Sequence, residues 1–172
     1  MEESRSAENF ADDFFSRLVE CHQLPLRRMC CVWLRDRDLA EDAVQETFFK
    51  AWKGAPSFRG ECSEKTWLMR IAVNVCRDMR RSAWHRHVDG RTPIDQMPEA
   101  AVPFQERDDT LIRALCRLPQ KQREAVLLYF YQDMTLQEIG DALGRSPSAI
   151  SRRIEGAKKA LRRHLKGEDE ND

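Results

Sequence analysis

The chain has 172 residues, of which 41% are hydrophobic and 34% charged, and its 29 basic residues balance its 29 acidic ones. The charged fraction is too high for a membrane protein, and the apolar fraction is too high for a disordered chain. The first residues have neither the basic start nor the apolar run of a signal peptide, and no apolar stretch is long enough to span a bilayer. We therefore expect a cytoplasmic protein without membrane insertion.

The charge is unevenly distributed along the chain. Residues 1–20 carry a net charge of −4, whereas residues 65–91 carry +5 and residues 143–167 carry +7. The last residues, GEDEND, add four acidic side chains. Two separate basic segments in a molecule with acidic ends indicate two contacts with a polyanion.

The cysteines predict free thiols, several of them in the core, because no C-x-x-C pair occurs. Two loose groups remain alternatives as metal ligands: Cys21, His22 and Cys30, or His85 and His87 with a distant cysteine. Ligand spacing this loose arises by chance. We therefore expect no metal and no cofactor. The six cysteines are Cys21, Cys30, Cys31, Cys62, Cys76 and Cys116.

Helical periodicity is widespread and glycine is scarce, which predicts an all-α fold. The segment 82–107 holds three prolines without an apolar period and indicates a flexible linker between two small helical domains. The predicted divisions are a first domain over residues 8–82, a linker over 83–107, a second domain over 108–166 and an acidic tail over 167–172.

The first domain is predicted to begin with two helices, over 7–23 and 25–35. A third helix is expected to start at Asp38, with Glu41 completing a capping box. Trp52 belongs to its predicted apolar stripe. The composition of the opposite, acidic face by itself favours simple solvation. That acidic face consists of Asp38, Glu41, Asp42, Gln45 and Glu46.

The fourth helix, predicted over residues 63–81, carries a basic stripe opposite its apolar side. Such a stripe suits phosphates and base edges, with a solvated face as the alternative. The preceding loop, from Phe58 to Cys62, places an aromatic ring beside positive charge, as single-stranded nucleic acid requires. The basic stripe consists of Arg70, Asn74, Arg77 and Arg81.

The second domain is predicted to begin with helices over 108–117 and 120–132. A capping box from Thr135 to Glu138 then starts a short helix that ends at Gly144. Ser146 is expected to cap the last helix, which runs to about residue 165. Two helices joined by a short turn with glycine predict a helix-turn-helix.

The last helix is expected to contact duplex DNA, because it carries many basic residues on its exposed face. A merely structural helix pair is the alternative. The candidate contact residues are Arg145, Ser148, Ser151, Arg152, Arg153, Glu155, Lys158, Lys159 and Arg162.

Five strings of the sequence resemble a known family. D-L-A-E-D-A-V-Q-E-T-F from Asp38, F-R-G from Phe58 and T-W-L-M-R-I-A-V-N from Thr66 are similar to conserved region 2 of bacterial sigma factors. L-P-Q-K-Q-R-E-A-V-L-L from Leu118 and T-L-Q-E-I-G-D-A-L-G from Thr135 are similar to region 4. The layout without a region 3 resembles the extracytoplasmic-function (ECF) group of the sigma-70 family, over about residues 8–166.

The resemblance implies a subunit that binds core RNA polymerase and directs promoter recognition and transcription initiation in a stress or envelope response. It implies that the acidic face binds the β′ clamp helices, that the helices before the helix-turn-helix face the β flap, and that the helix-turn-helix reads the promoter −35 element. It also implies an anti-sigma factor as a partner. The residues it assigns to melting and reading the −10 element are Phe58, Arg59, Gly60, Lys65, Thr66, Trp67, Arg70, Asn74, Arg77 and Arg81.

The sequence departs from the family at Ser63 and Glu64 and at Glu155 and Gly156, so the preferred promoter sequences do not carry over. An autonomous helix-turn-helix regulator is the main alternative, although the basic stripe of the first domain argues against it. A Cys/His metal enzyme or sensor is a second alternative. Because the sequence has no nucleotide-binding loop, catalytic triad or metal motif, we expect a protein that is not an enzyme.

Overall fold

The computed structural model describes the backbone of residues 2–90 and 109–168 and the side chains of residues 13–82 and 110–165. The described backbone is helical without strands, so the all-α prediction is confirmed. A π-helical turn, Leu127–Tyr131, extends the fifth helix. The helices are α1 (Glu2–Leu34), α2 (Arg37–Gly54), α3 (Glu64–Gly90), α4 (Asp109–Arg117), α5 (Gln120–Val126), α6 (Leu136–Leu143) and α7 (Pro147–Glu168).

Helices α1 to α3 pack together as a first unit around large apolar side chains. Leu26, Trp33 and Leu68 are almost fully buried at its centre. Each such side chain stabilises the fold by about 1.5–3 kcal/mol relative to an exposed one. The expected core face of α2 is also buried, from Ala40 to Ala51.

Helix α1 is continuous, and the prediction of two helices divided near residue 24 was wrong. Pro25 lies inside α1. Proline removes one amide donor and so leaves the carbonyl four residues earlier without its helical partner. Packing outweighs that loss, because Leu18 before the proline and Leu26 and Met29 after it are all buried.

Three further details of the first unit differ from expectation. Asp36, not Asp38, caps α2, since its side chain accepts a hydrogen bond of 2.9 Å from the Leu39 N–H. Trp52 is 50% exposed instead of lying in the core, because it lies about 100° around the helix from Ala51, at the edge of the buried stripe of α2. Helix α3 continues to Gly90, beyond its predicted end at Arg81. Residues 91–107 of the predicted linker, and residue 108 at the predicted start of the second domain, lie outside the described residues.

Helices α4 to α7 form a second unit in which the predicted helix-turn-helix is confirmed. Thr135 and Glu138 form the capping box of α6, and Gly144 ends that helix in the left-handed conformation with φ of 64°. The Ser146 hydroxyl accepts from the Ala149 N–H at 3.3 Å at the start of α7. Ile139 and Ile150 are buried between the two helices, as expected.

A buried arginine fixes the start of α5 against the end of α4. Arg123 Nη1 donates to the carbonyl oxygens of Cys116 and Leu118, at 3.0 and 3.1 Å. Burial lowers the pKa of Arg123 to about 10, so the guanidinium stays charged at neutral pH. This arrangement holds α5 in place beside α7.

The two units pack against each other, with α1 touching α4 and α5, and α3 touching α6. An apolar groove of about 540 Å³ opens where α1, α4 and α7 meet. Leu111 and Phe130 line it and are half exposed. None of the helices in the described part of the chain is long and apolar enough to cross a membrane.

Candidate functional site

The acidic face lies on the side of α2 opposite the core of the first unit. Asp38, Asp42 and Gln45 are exposed. Glu41 forms an ion pair with Arg27 of α1. The face therefore presents a mixture of free and paired carboxylates on a rigid helix.

Glu46 of the acidic face pairs with Lys50 at 3.4 Å, one helical turn later. Together with Asp42, Glu46 lines a shallow groove of about 430 Å³ between α2 and α3, whose far wall includes Asp78 and Met79. The groove combines apolar walls with three carboxylates. It is suited to a helical partner that carries basic and apolar side chains.

Two exposed aromatic residues continue the acidic face, and the sequence analysis missed both. Phe49 and Trp52 are 49% and 50% exposed, and Lys53 Nζ stands 4.3 Å from the centre of the Phe49 ring. Phe49 lies one and two helical turns after Gln45 and Asp42. That spacing was the available signal, since Phe48 and Phe49 are adjacent and only one of them can face the core.

The loop before α3 forms a groove of about 410 Å³ beside the basic stripe. Its ring side chains are half-buried: Phe58 packs on Trp67 at 4.9 Å and on Phe14 at 5.7 Å between ring centres. The aromatic rings therefore form one wall of the groove while packing against α1. Its other wall is charged and polar. The groove is lined by Ser57, Phe58, Arg59, Glu61, Cys62, Trp67 and Arg70.

The basic stripe lies along the outer side of α3, as its spacing predicted. Asn74 and Arg81 are exposed, whereas Arg70 and Arg77 are half-buried. Arg70 is not free in this structure, because its Nη2 stands 3.7 Å from Asp141 Oδ2 of α6. The stripe is therefore exposed at Asn74 and Arg81, whereas its first residue, Arg70, touches the second unit.

Two neighbours of Arg70 also contact the second unit. Thr66 is buried, and its hydroxyl donates to Glu138 Oε1 at 2.8 Å. Lys65 Nζ stands 3.6 Å from Asp133 Oδ2. The sequence analysis did not predict a role for these acidic residues in the site, because such residues are typical of a helix cap and a solvated helix start.

The exposed face of α7 brings most of the predicted duplex-binding residues together. Two of the predicted residues have other neighbours. Lys158 Nζ pairs with Glu155 at 2.8 Å and lies 5.7 Å from the Phe130 ring. Arg153 is half-buried. Burial raises the pKa of Glu124 on α5, and the positive charge of Arg153 partly counteracts that increase. Ser151 is half-buried as well, while the exposed predicted residues are Arg145, Ser148, Arg152, Glu155, Lys159 and Arg162.

The structure shows the state of the six cysteines and tests one of the two candidate groups of metal ligands. None of the six cysteines forms a disulfide, and Cys30, Cys31 and Cys76 are buried, as expected. Among the residues that the structure describes, no three His, Cys, Asp or Glu side chains gather as a metal site would require. The side chains of His85 and His87 lie outside the described ones.

Comparisons with known proteins match this arrangement. The family described as Sigma-70 region 2 matches residues 18–86, and the family described as Sigma-70, region 4 matches residues 108–161. The ECF RNA polymerase sigma factor SigW of Bacillus subtilis is 29% identical over 168 residues, which is 90% of each chain. The ECF RNA polymerase sigma factor SigL of Mycobacterium tuberculosis is 32% identical over 151 residues, covering 84% of this chain and 85% of its own.

The fold agrees with that of a solved sigma factor. RpoE from Bartonella quintana, crystallised in complex with the anti-sigma factor NepR, has a TM-score of 0.73 and 24% sequence identity. The match covers 88% of this chain and 96% of that one. The family matches, the curated relatives and the two helical units lead to one conclusion. The chain belongs to the ECF subfamily of sigma-70 factors, the subunits that direct RNA polymerase to promoters and initiate transcription.

Proposed function

We propose that this sigma factor divides promoter recognition and polymerase binding among three separate faces. The acidic face of α2 docks on the β′ clamp helices, the basic stripe and the loop before it melt and read the −10 element, and the exposed face of α7 reads the −35 element. One observation carries the proposal: the acidic face lies on α2 and the basic stripe on α3, so the two sets of side chains stand on different helices of a single three-helix unit. That separation lets the unit bind polymerase and DNA at the same time.

The polymerase contact rests on charge and shape. Asp42 and Glu46 line a groove between two packed helices, and Phe49 adds an exposed ring beside them. Interfaces commonly combine a central aromatic anchor with a charged rim. We assign the acidic face and this ring to one docking surface for a basic, helical partner.

The DNA contacts rest on residue chemistry. Arginine suits phosphates of any sequence, whereas the amide of Asn74 offers one acceptor and two donors, as a base edge requires. We assign the groove beside Phe58 and Arg70 to an unstacked base, because it combines an aromatic wall with positive charge. On α7, we assign Arg152 to a base contact and Lys159 and Arg162 to phosphate contacts.

A charge-reversed variant tests the polymerase contact. Asp42→Lys/Glu46→Lys places two lysines where the basic partner is expected, so we expect at least a tenfold loss of affinity for core polymerase. Run-off transcription should fall in parallel, and circular dichroism should show an unchanged helix content because both side chains face away from the core. Asp13→Lys/Glu20→Lys, with the same change of net charge at exposed positions of α1, is the matched control. Equal affinities of the two variants for core polymerase would contradict the assignment.

A measurement of promoter binding by the protein alone distinguishes this function from that of an autonomous regulator. Because the acidic ends of the chain offset its two basic segments, we expect this sigma factor to bind duplex promoters weakly without core polymerase. We propose that it acts in the cytoplasm, performs no catalysis itself, and is held by an anti-sigma factor, as the RpoE relative is by NepR. Tight promoter binding by the chain alone at physiological salt would favour the autonomous regulator.

A further inference from the structure

The apolar groove where α1, α4 and α7 meet has the size of a small-molecule site. Its volume of about 540 Å³ lies within the range of about 300–1,000 Å³ that is usual for ligand pockets. Side chains of both units line it, among them Met29 and Val32 of α1 and Leu115 of α4. Small-molecule sites occur preferentially at junctions of this kind.

The groove leaves large apolar side chains in contact with solvent. Leu111 of α4 and Phe130 are 48% and 54% exposed, and both line the groove. Leu161 and Leu165 of α7 continue the apolar wall. Methylene groups placed against these side chains would remove apolar surface from water on both partners, which is favourable. The groove is therefore suited to a ligand that is apolar along most of its length.

The charged residues among those that line the groove are all basic. Lys158 and Arg162 of α7 stand one helical turn apart, so they lie on the same side of that helix. Lys158 Nζ lies 5.7 Å from the centre of the Phe130 ring and pairs with exposed Glu155 at 2.8 Å. Surface pairs of that kind are weak, so an anionic group of a ligand can compete with the glutamate. The third basic residue is Arg28 of α1.

Tyr131 lies in the lining together with Arg28. Burial raises the pKa of the Tyr131 phenol, and a hydrogen bond with Arg28 partly counteracts that increase. The phenol therefore stays neutral at pH 7 and brings no negative charge into the groove. The lining that the structure describes includes no carboxylate. The groove thus combines apolar walls with an edge on α7 that favours an anion.

We propose that the apolar groove binds a free fatty acid. The acyl chain lies along the apolar walls beside Leu111 and Phe130, and the carboxylate pairs with Lys158 and Arg162. A helix is about 10–12 Å wide with its side chains, so a groove of this volume would take only one row of side chains from a protein partner. An extended acyl chain fills it along its whole length.

The first test concerns the apolar walls and uses the full-length protein. Fluorescence of cis-parinaric acid, a fatty acid, measures binding, and lauric acid is the competitor. Leu111→Gln/Phe130→Gln places two amides in the groove and spares the fold, because both side chains are half exposed. The matched control is Leu24→Gln/Phe49→Gln, which changes a leucine and a phenylalanine that are 55% and 49% exposed outside the groove. We expect about tenfold weaker binding by the groove variant than by the control.

The second test concerns the head group. Arg162→Glu reverses a charge in the groove lining, and Arg163→Glu makes the same change at the next position, which is exposed and outside that lining. Laurate should bind about tenfold more weakly to Arg162→Glu than to Arg163→Glu, whereas neutral dodecanol should bind equally to both. Lengthening the ligand from decanoate to laurate should tighten binding by about fivefold, because two more methylenes are partly buried.

Each outcome decides the proposal without polymerase or promoter DNA. Equal parinarate affinities of the groove variant and its control would overturn the site. Equal laurate affinities of the two α7 variants would overturn the pairing of the carboxylate. Binding to phosphatidylglycerol vesicles without binding of monomeric laurate would exclude a free fatty acid. Dimerisation that Leu111→Gln/Phe130→Gln abolishes, without laurate binding by the wild type, would show that a second copy occupies the groove instead.

Discussion

Replacing Gly140 with alanine tests how closely the helix-turn-helix is packed. A Cβ at Gly140 of α6 would lie 2.5 Å from the Arg145 carbonyl oxygen and 3.6 Å from the Pro147 nitrogen. Ordinary contact begins at about 3.4 Å, so the turn between α6 and α7 has to move outward. Both atoms are backbone, which leaves no flexible side chain to absorb the movement.

The magnitude follows from two opposing effects. Overpacking of this kind costs about 1–3 kcal/mol, whereas alanine gains about 1 kcal/mol over glycine inside a helix. We therefore expect Gly140→Ala to lower the free energy of unfolding by up to about 2 kcal/mol. Because the displaced turn carries the start of α7, binding to −35 DNA by the holoenzyme should fall as well.

Gly156→Ala in α7 is the matched control. Its Cβ would meet the Gln122 side-chain nitrogen at 3.0 Å, and that nitrogen is the far end of a side chain that can rotate away. The helix-propensity gain then dominates, and the free energy of unfolding should rise by about 0.5–1 kcal/mol. Urea unfolding followed by circular dichroism measures both proteins. If Gly140→Ala proves as stable as Gly156→Ala, the close approach at Arg145 is wrong.

The remaining predictions concern the two DNA-reading faces. Arg152→Ala should relax discrimination at one or two −35 positions by about 1–3 kcal/mol, whereas Lys159→Ala and Arg162→Ala should weaken holoenzyme binding evenly across a promoter library; three identical specificity profiles would refute this division. Asn74→Ala should bind core polymerase normally yet open the native promoter poorly, with little defect on a pre-melted bubble of altered sequence. Arg77→Ala should reduce opening on both templates, more so at high salt, and permanganate footprinting of the melted region distinguishes the two patterns.

The sequence predicted best where local chemistry determines the structure. The capping box at Thr135, the left-handed Gly144 and the Ser146 cap each act within one turn of chain, so the helix-turn-helix followed directly from the residues. The basic stripe also followed, because helical spacing alone places Asn74 and Arg81 on one side of α3. The positions of the buried residues in the helix-turn-helix, from Ile139 to Ile150, also followed from helical spacing.

The sequence predicted least where distant parts of the chain compete. The start of α2 was predicted at Asp38, whereas Asp36, two residues earlier, is the residue that caps the helix. Trp52 was assigned to the apolar stripe of α2 but lies at the edge of that stripe, one residue past Ala51, the last buried residue of the helix. The contact between Arg70 and Asp141 joins helices that are far apart in sequence, so no local pattern indicates it.

The buried thiol pair of the first unit makes thiol reactivity a measure of how often α1 and α3 separate. Cys30 Sγ of α1 lies 3.7 Å from Cys76 Sγ of α3, and this hydrogen bond together with burial raises the pKa of the Cys30 thiol well above its ordinary value. Alkylating agents and oxidants attack the thiolate, so the pair stays inert while α1 and α3 remain packed. Cys21, on the same helix, is exposed to solvent. The rate at which Cys30 is alkylated, relative to Cys21, therefore reports how often the three-helix unit comes apart, without any added label or engineered residue.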